Sequence, residues 1–451
     1  MTKFNKQRLD ATLFQIDERI KTGWFTDEYL NNNVRILTTL AKEGYKFGDN
    51  TSDLYGIDTR DVENGKLEVE MQIFTRRKPF SVVVGVDEAL SILKECTGYY
   101  KDDKFINTYN NLEIEAIEDG AIVEYDGDPL HVKPVLKIRG RYRDFAHLET
   151  VLLGVLSEPT RIATNVYNTL VAAEGKDVLF FPARFAHYKM QGVHGYAHNV
   201  AVECYNNTHK KELSPIVSTN EQGSWWGGKG GGTVAHATIA SFLGNTPETM
   251  LQFSRIMPVE IPRIVLIDFH NDCVNETLAV MKKMFDKYWQ LYIEENLEEA
   301  KKYKLHGVRP DTSSNMIDKS IKYPSSEDDF GVNPKLIWNL RTAIDSAHIK
   351  WEKEFTEEDI ANNKPQILRD WCKSIQIVVT GGFDAKKIKY FEKFKVPVDV
   401  YGVGSSLLRN DKENNSDFTA DVVRVKIKDE WYDLAKEGRR ASSNEDLEII
   451  E

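Results

Sequence analysis

The chain has 451 residues, 41% hydrophobic and 29% charged, with a net charge of −11 at neutral pH. That length exceeds one ordinary domain and predicts two, and the balance is that of a soluble globular protein with a sizeable core. The acidic surplus argues against a broad nucleic-acid or anionic-membrane surface, no window reaches about 18 consecutive apolar residues, and the opening MTKFNKQRLD lacks an apolar segment of signal-peptide length.

Residues 3–20 and 28–44 have helical spacing, separated by KTGWFTDEY, whose Thr-Asp pair is placed to cap the second helix. LEVEMQIFTRR from Leu67 and then FSVVVG read as strands, and DEALSILKEC as a short helix. Residues 112–140 alternate as strands with Asp-Gly turns. An α+β N-terminal domain over 1–143 follows. Residues 144–175 then carry a long helical region with an apolar face. Beyond it strands and helices alternate: KDVLFF (176–181), a helix over 194–207, the strand SPIVS (214–218), and a helix start in TVAHATIASFLG (233–244).

Four further strand-like runs end abruptly in glycine, acid or hydroxyl residues: IVLIDFHND (264–272), HGVRPDTSSN (306–315), IQIVVTGGFD (375–384) and VDVYGVGSSLL (398–408). Such alternation predicts a parallel β/α barrel over 144–410, with its site at the C-terminal ends of the strands. The stretch 323–374 is long for one crossover; it holds a helix with Pro334 near its first turn and a polar insertion around 349–363. A last strand, DVVRVKIKD (421–429), lies in the segment 411–451, which is expected to return to the N-terminal domain. The four cysteines, Cys96, Cys204, Cys273 and Cys372, are far apart and form no CxxC pair, which predicts reduced thiols in a cytoplasmic protein, with neither a zinc site nor a disulfide framework.

Glycines directly after a strand let backbone N–H groups approach an anion, and a following helix N-terminus favours negative charge. Gly381-Gly382 and Gly402–Ser405 are therefore either two tight turns or two halves of a phosphate cradle. Arg309 and Asp311 sit two apart, so in a strand they share a face. They make either a structural ion pair at a barrel mouth or a grip on phosphate and on ribose hydroxyls or diphosphate-borne magnesium. Five glycines fall within 227–232, before Thr233 and His236. That run is a flexible linker or a ligand-wrapping loop, and His236 beside it is a structural histidine or a group for proton or phosphoryl transfer. Arg184, just beyond Phe181, is an ordinary surface arginine or the partner of a flat anionic ring.

Together these residues resemble the nicotinate phosphoribosyltransferase family, which includes nicotinamide phosphoribosyltransferase, from about Gly23 to Lys436. KTGWFTDEYLNNN is similar to the family's Thr-Asp-x-Tyr segment. PVLKIRGRYRDFAHLETVLLGVLSEPTRIAT is similar to its stretch entering the barrel, and FPAR to its Phe-Gly-x-Arg. STN (218–220) and GGTVAH resemble Gly-Thr-Ser and Gly-Thr-x-x-His. GVRPDT resembles Arg-x-Asp-Ser, and GVGSSLL resembles Gly-x-Gly-Thr. The resemblance implies an irregular β/α barrel of the type II phosphoribosyltransferase kind, joined to the N-terminal domain by the C-terminal strand. It implies transfer of phosphoribose from phosphoribosyl diphosphate to nicotinate in NAD salvage.

By the same carry-over, Phe181 and the Tyr29 of a neighbouring subunit would sandwich the pyridine ring, in a homodimer or larger homo-oligomer. Arg184 with Ser218 or Thr219 would meet the carboxylate, and Asp268 would belong to the substrate site. Arg309 and Asp311 would hold phosphate and ribose, and Gly381, Gly382, Gly402, Gly404 and Ser405 the 5′-phosphate. Magnesium would enter with the diphosphate. His236 resembles the histidine that the family can phosphorylate, which makes ATP a candidate stimulator. Three positions depart from the family: Ser314 stands where a second acid is expected, Phe185 where a second arginine is, and Gly382 where Ser-Gly-Asp has its acid. The alternatives are nicotinamide or another nitrogen heterocycle, and a non-catalytic paralogue that binds phosphoribosyl diphosphate; a quinolinate phosphoribosyltransferase ranks lower, since a dicarboxylate wants a denser basic pocket than the sequence offers.

Overall fold

The computed structural model describes residues 8–48 and 52–450. The chain forms two units. The first takes in the chain up to Tyr167, Tyr196–Lys211, and everything from Arg409 on; the second is Asn168–Gly195 with Glu212–Leu408.

A six-stranded antiparallel sheet organises the first unit, in the order Glu430–Asp433, Phe418–Ile427, Glu68–Thr75, Leu136–Arg141, Glu113–Ala116, Glu448–Ile449. Its central strand Glu68–Thr75 is buried on both faces. Met71 and Ile73 join Leu93, Ile138 and Phe145 in the core, and the apolar face of helix Val86–Cys96 packs into that cluster. Glu70, on the same strand, is buried too, and its carboxylate accepts from Arg139 Nε at 2.7 Å. That ionic hydrogen bond offsets the desolvation which otherwise keeps charge out of a core. The expected return of the chain is present: Phe418–Ile427 runs antiparallel to Glu68–Thr75, with Thr75 opposite Phe418.

The second unit is built on a five-stranded parallel sheet in the order Asp177–Phe180, Val400–Val403, Gln376–Val379, Gly307–Arg309, Ile264–Leu266. The first and last of these in the chain are neighbours, with Asp177 opposite Val400 and Phe180 opposite Val403. This is a half-barrel. Each strand is three or four residues long. Parallel pairing in register brings all their C-terminal ends to one edge.

Three expected elements come out differently. Within 3–20, residues 3–7 lie outside the described residues, and the rest forms two 3-10 turns, Ala11–Leu13 and Glu18–Thr22. Asp10 and Asp17 each accept from the backbone N–H two residues on, so the local side-chain bonds compete with a continuous helix. SPIVS contributes only Val217, bridged in parallel to Phe180 and to Gly230. Pro215 has no N–H to donate, which shortens a strand there. The helix from 233 contracts to His236–Ser241. The polar insertion is ordered: Glu357–Ala361 and Lys364–Ser374 are helices, and Asp359 joins them to the helix Cys273–Ile293 by accepting from Trp289 Nε1 at 3.1 Å and Lys364 Nζ at 3.0 Å.

Candidate active site

The strand ends of the second unit surround a cavity of about 410 Å³. Its walls include Phe181, Arg184 and Ser218 from the early strands, His236 from the helix after the glycine run, and Arg309, Asp311 and Thr380. Gly381, Gly382, Gly402, Gly404 and Ser405 complete it. A larger groove, about 840 Å³, lies in the first unit beside Gly23, Asn31 and Tyr99. Lys21, Glu28, Arg35 and Lys42 also line it, while its histidine, His147, is buried against the Cys96 carbonyl, and burial lowers its pKa to about 4. The chemistry converges in the smaller cavity.

Arg309 ends its strand half-buried. Its Nη2 donates to the Val234 carbonyl at 3.2 Å and its Nη1 to Thr380 Oγ1 at 3.4 Å, with the Asp311 carboxylate 3.9 Å away. Thr380 Oγ1 in turn donates to Asp311 Oδ1 at 2.8 Å. A cation, an acid and a hydroxyl from two neighbouring strands thus form one network. Burial lowers the Arg309 pKa, opposed by Asp311 and then Asp268. An anion entering the cavity would relieve that desolvation.

His236 Nε2 lies 3.0 Å from Asp268 Oδ1. Asp268 is almost wholly covered, while the imidazole is about half exposed. Burial raises the Asp268 pKa, and the neighbouring His236 opposes the rise. An acid beneath an accessible imidazole orients the ring. The glycine run places that ring. Gly231 N–H donates to the Val217 carbonyl at 2.8 Å and Gly230 N–H to Asn220 Oδ1 at 3.0 Å. A Cβ on Gly230 would lie 2.6 Å from the Thr219 backbone, and one on Gly223 2.2 Å from the Gly228 carbonyl oxygen. Gly230 and Gly231 are thus hydrogen-bonded to Asn220 and Val217, whereas Gly227 and Gly232 have open space around them.

After strand Gln376–Val379 the chain turns through Gly381 and Gly382, at φ 92° and 70°. L residues are strained there, so glycine is required. Among the described residues, no backbone or side-chain acceptor takes the N–H groups of Gly381, Gly382 or Phe383. Successive free N–H groups in such a turn make an anion nest. The turn after Val400–Val403, through Gly404 and Ser405, faces the same cavity.

Phe181 and Phe185 flank the two late glycines: a Cβ on Gly402 would meet the Phe181 ring at 3.1 Å, and one on Gly404 the Phe185 ring at 3.0 Å. Arg184 is exposed in the 3-10 turn Ala183–Phe185 and stacks on Phe185, 5.2 Å from its centroid, rather than on Phe181. Ser218 Oγ donates to Gln222 Oε1 at 3.1 Å and keeps its lone pairs for a ligand. Thr219 stands outside the lining. Its hydroxyl donates to Gln191 Oε1 and caps the short helix Asn220–Gly223. Tyr29 is exposed on helix Glu28–Glu43 of the first unit, and Ser314 is exposed outside the lining. No group of three metal-ligating side chains occurs among the described residues. One lining residue was not singled out as such from sequence, Thr380. The only hint was its position just after the strand Gln376–Val379.

A family model described as "Quinolinate phosphoribosyl transferase, N-terminal domain" matches residues 53–160, wholly within the first unit. A solved structure of nicotinate-nucleotide pyrophosphorylase from Pyrococcus furiosus superposes with TM-score 0.63 at 22% identity, covering 96% of this chain and 84% of that one. Human nicotinic acid phosphoribosyltransferase superposes with TM-score 0.53 at 15% identity, covering 89% and 74% respectively. No curated protein matches by sequence. The chain has the type II phosphoribosyltransferase fold. That is the fold the motifs implied; the family model matches under a quarter of the chain, and it is of the quinolinate phosphoribosyltransferase kind.

Proposed function

We propose that this protein transfers the phosphoribosyl group of phosphoribosyl diphosphate to the ring nitrogen of nicotinate, giving nicotinate mononucleotide and diphosphate in NAD salvage. The observation that carries this reading is the Arg309–Asp311–Thr380 network, set in one cavity with the Gly381–Phe383 nest and a second glycine turn. A cavity that pairs a phosphate nest with a ribose-sized acid and an aromatic wall suits a phosphorylated sugar and a flat base.

The C1–oxygen bond to diphosphate breaks as the C1–nitrogen bond to the base forms. Positive charge grows on the ribose, where Asp311 stands, and negative charge on the leaving diphosphate. Such a reaction needs placement and charge stabilisation more than a strong base. Magnesium arrives as part of the diphosphate substrate and offsets its charge. Asp311 is proposed as the carboxylate that meets it.

Arg184 and Ser218 meet the carboxylate of the base. Arg309 is already engaged by Val234 and Thr380, which leaves Arg184 as the free guanidinium of the lining. One cation suits a monocarboxylate. The quinolinate-type family model favours a second reading, a pyridine dicarboxylate as acceptor. Tyr29, exposed in the first unit, is proposed to close the base site of a partner copy in a homodimer.

Diphosphate release, measured with nicotinate, nicotinamide and quinolinate in turn, with magnesium and with or without ATP, tests the assignment. Turnover with nicotinate above the other two is expected. No release with any pyridine rejects it, and preferential release with quinolinate transfers it to the second reading. His236 is proposed to accept the phosphoryl group of ATP. ATP should stimulate the wild type, and in His236→Ala the ratio of turnover with and without ATP should fall to one. Equal stimulation in the variant removes that role.

A further inference from the structure

Helix Ala385–Lys393 follows the Gly381–Gly382 turn directly, capped by Asp384, whose side chain accepts from the Lys387 N–H at 2.9 Å. Lys387 therefore sits in the first helical turn. Its side chain folds back along the helix, crosses the Phe383 ring with Nζ 4.3 Å from the centroid, and donates to the Gly381 carbonyl at 3.4 Å. A cation in the first turn of a helix opposes the helix dipole, and a partly buried ammonium that meets one carbonyl is poorly compensated. The ring faces and Asp384 compensate the ammonium in part. An anion at the turn would account for this placement.

We propose that Lys387 is a positioning residue of the phosphate nest. Its ammonium fixes the Gly381 carbonyl, and with it the turn through Gly382 and Phe383, in the conformation that receives a phosphate monoester, and it sets a positive charge behind that turn. The idea rests on the phosphoribosyl reading for the identity of the ligand, though not for the presence of an anion. Carbonyl and amide of one peptide point in opposite directions, so tethering the Gly381 carbonyl also orients the N–H of Gly382. The nest then needs no reorganisation when the ligand arrives.

The other groups packed on the ammonium are the rings of Phe383 and Phe391; the charged group facing it is Asp384, with Asp311 on the other side of Gly381. Burial lowers the Lys387 pKa to about 8, and Asp384 opposes the fall. The side chain is cationic below that pH and neutral above it. Anion affinity should therefore be strongest at neutral pH and should weaken as pH rises through about 8.

Titration calorimetry with inorganic phosphate and with phosphoribosyl diphosphate, on wild type, Lys387→Met and Lys387→Arg at about pH 7.5 and pH 9.5, tests this. Both ligands only gain negative charge across that range, so a fall in affinity with rising pH cannot come from them. Lys387→Met should weaken both ligands roughly 10-fold at the lower pH, with the kinetic loss larger in KM for phosphoribosyl diphosphate than in kcat. Lys387→Arg should recover most of the affinity and lose the pH dependence, since arginine stays charged. Unchanged affinity in Lys387→Met, or a wild-type affinity equal at both pH values, overturns the proposal. Wild type that binds inorganic phosphate in this pattern but gives no pyridine turnover upholds Lys387 and rejects the proposed reaction. Wild type that binds neither ligand rejects both.

Discussion

Arg309→Ala should lower kcat/KM for phosphoribosyl transfer on the order of 10²- to 10³-fold, the scale of one lost electrostatic stabiliser in a preorganised site. The side chain is mostly covered and has three partners, so its loss does more than remove a charge. The Val234 carbonyl loses its donor just before His236, and the Asp311–Thr380 pair is left without its neighbouring cation. Arg309→Lys should recover little, because an ammonium cannot reach a carbonyl, a hydroxyl and a phosphate from the planar geometry of a guanidinium. Steady-state kinetics with thermal melts for both variants check this. A decrease under about threefold, with an unchanged melting temperature, would remove Arg309 from the reaction and leave it as a structural residue of the barrel mouth.

Gly402→Ala should raise KM for the pyridine base while the fold persists. A Cβ at this position would lie 2.5 Å from Thr380 Cγ2 and 3.1 Å from the Phe181 ring. Thr380 cannot turn its methyl away without breaking the 2.8 Å bond from its hydroxyl to Asp311. Phe181 is therefore the side that gives, and it moves into the space assigned to the base. Overpacking of this kind costs about 1–3 kcal/mol, which corresponds to roughly 5- to 150-fold in affinity. Gly404→Ala is the comparison. Its Cβ would meet only the tip of Phe185 at 3.0 Å, and that ring is half exposed and free to swing. A Gly402→Ala enzyme with the base KM of the Gly404→Ala enzyme would show that Phe181 does not wall the base site.

Much of the second unit was legible along the chain because its signals are local. A buried parallel strand must be short, apolar and β-branched, and a turn that must expose N–H groups to an anion needs glycine. Both features survive in a single sequence, and the four strand-end runs coincide with four of the five strands of the half-barrel. Phe181, Arg184, Ser218, His236, Arg309 and Asp311 do share one cavity. Thr219 was a less informative guess, since a threonine before a short helix reads the same whether its hydroxyl serves a ligand or, as here, a cap. The 3–20 stretch misled for a related reason: helical spacing was there, but two aspartates close their own local turns first.

What escaped depends on distance in space. Thr380 became part of the site only because its strand lies next to Gly307–Arg309, which sets its hydroxyl between Arg309 and Asp311. Lys387 reads as one of many helix-surface lysines until its side chain is seen to fold back over Phe383 onto the Gly381 carbonyl. The glycine run could be a linker or a built loop on composition alone; only the structure shows that Gly230 and Gly231 are tied to Asn220 and Val217 while Gly227 and Gly232 stay open. By itself, then, the amino-acid order determined which segments are strands, which turns must be glycine, and which residue types stand at the strand ends, because those follow from backbone sterics and periodicity within a few residues. Tertiary structure alone decided which strand ends are neighbours, which acid sits under which base, and which cation faces the nest, because hydrogen bonds and desolvation act across distances that sequence separation does not record.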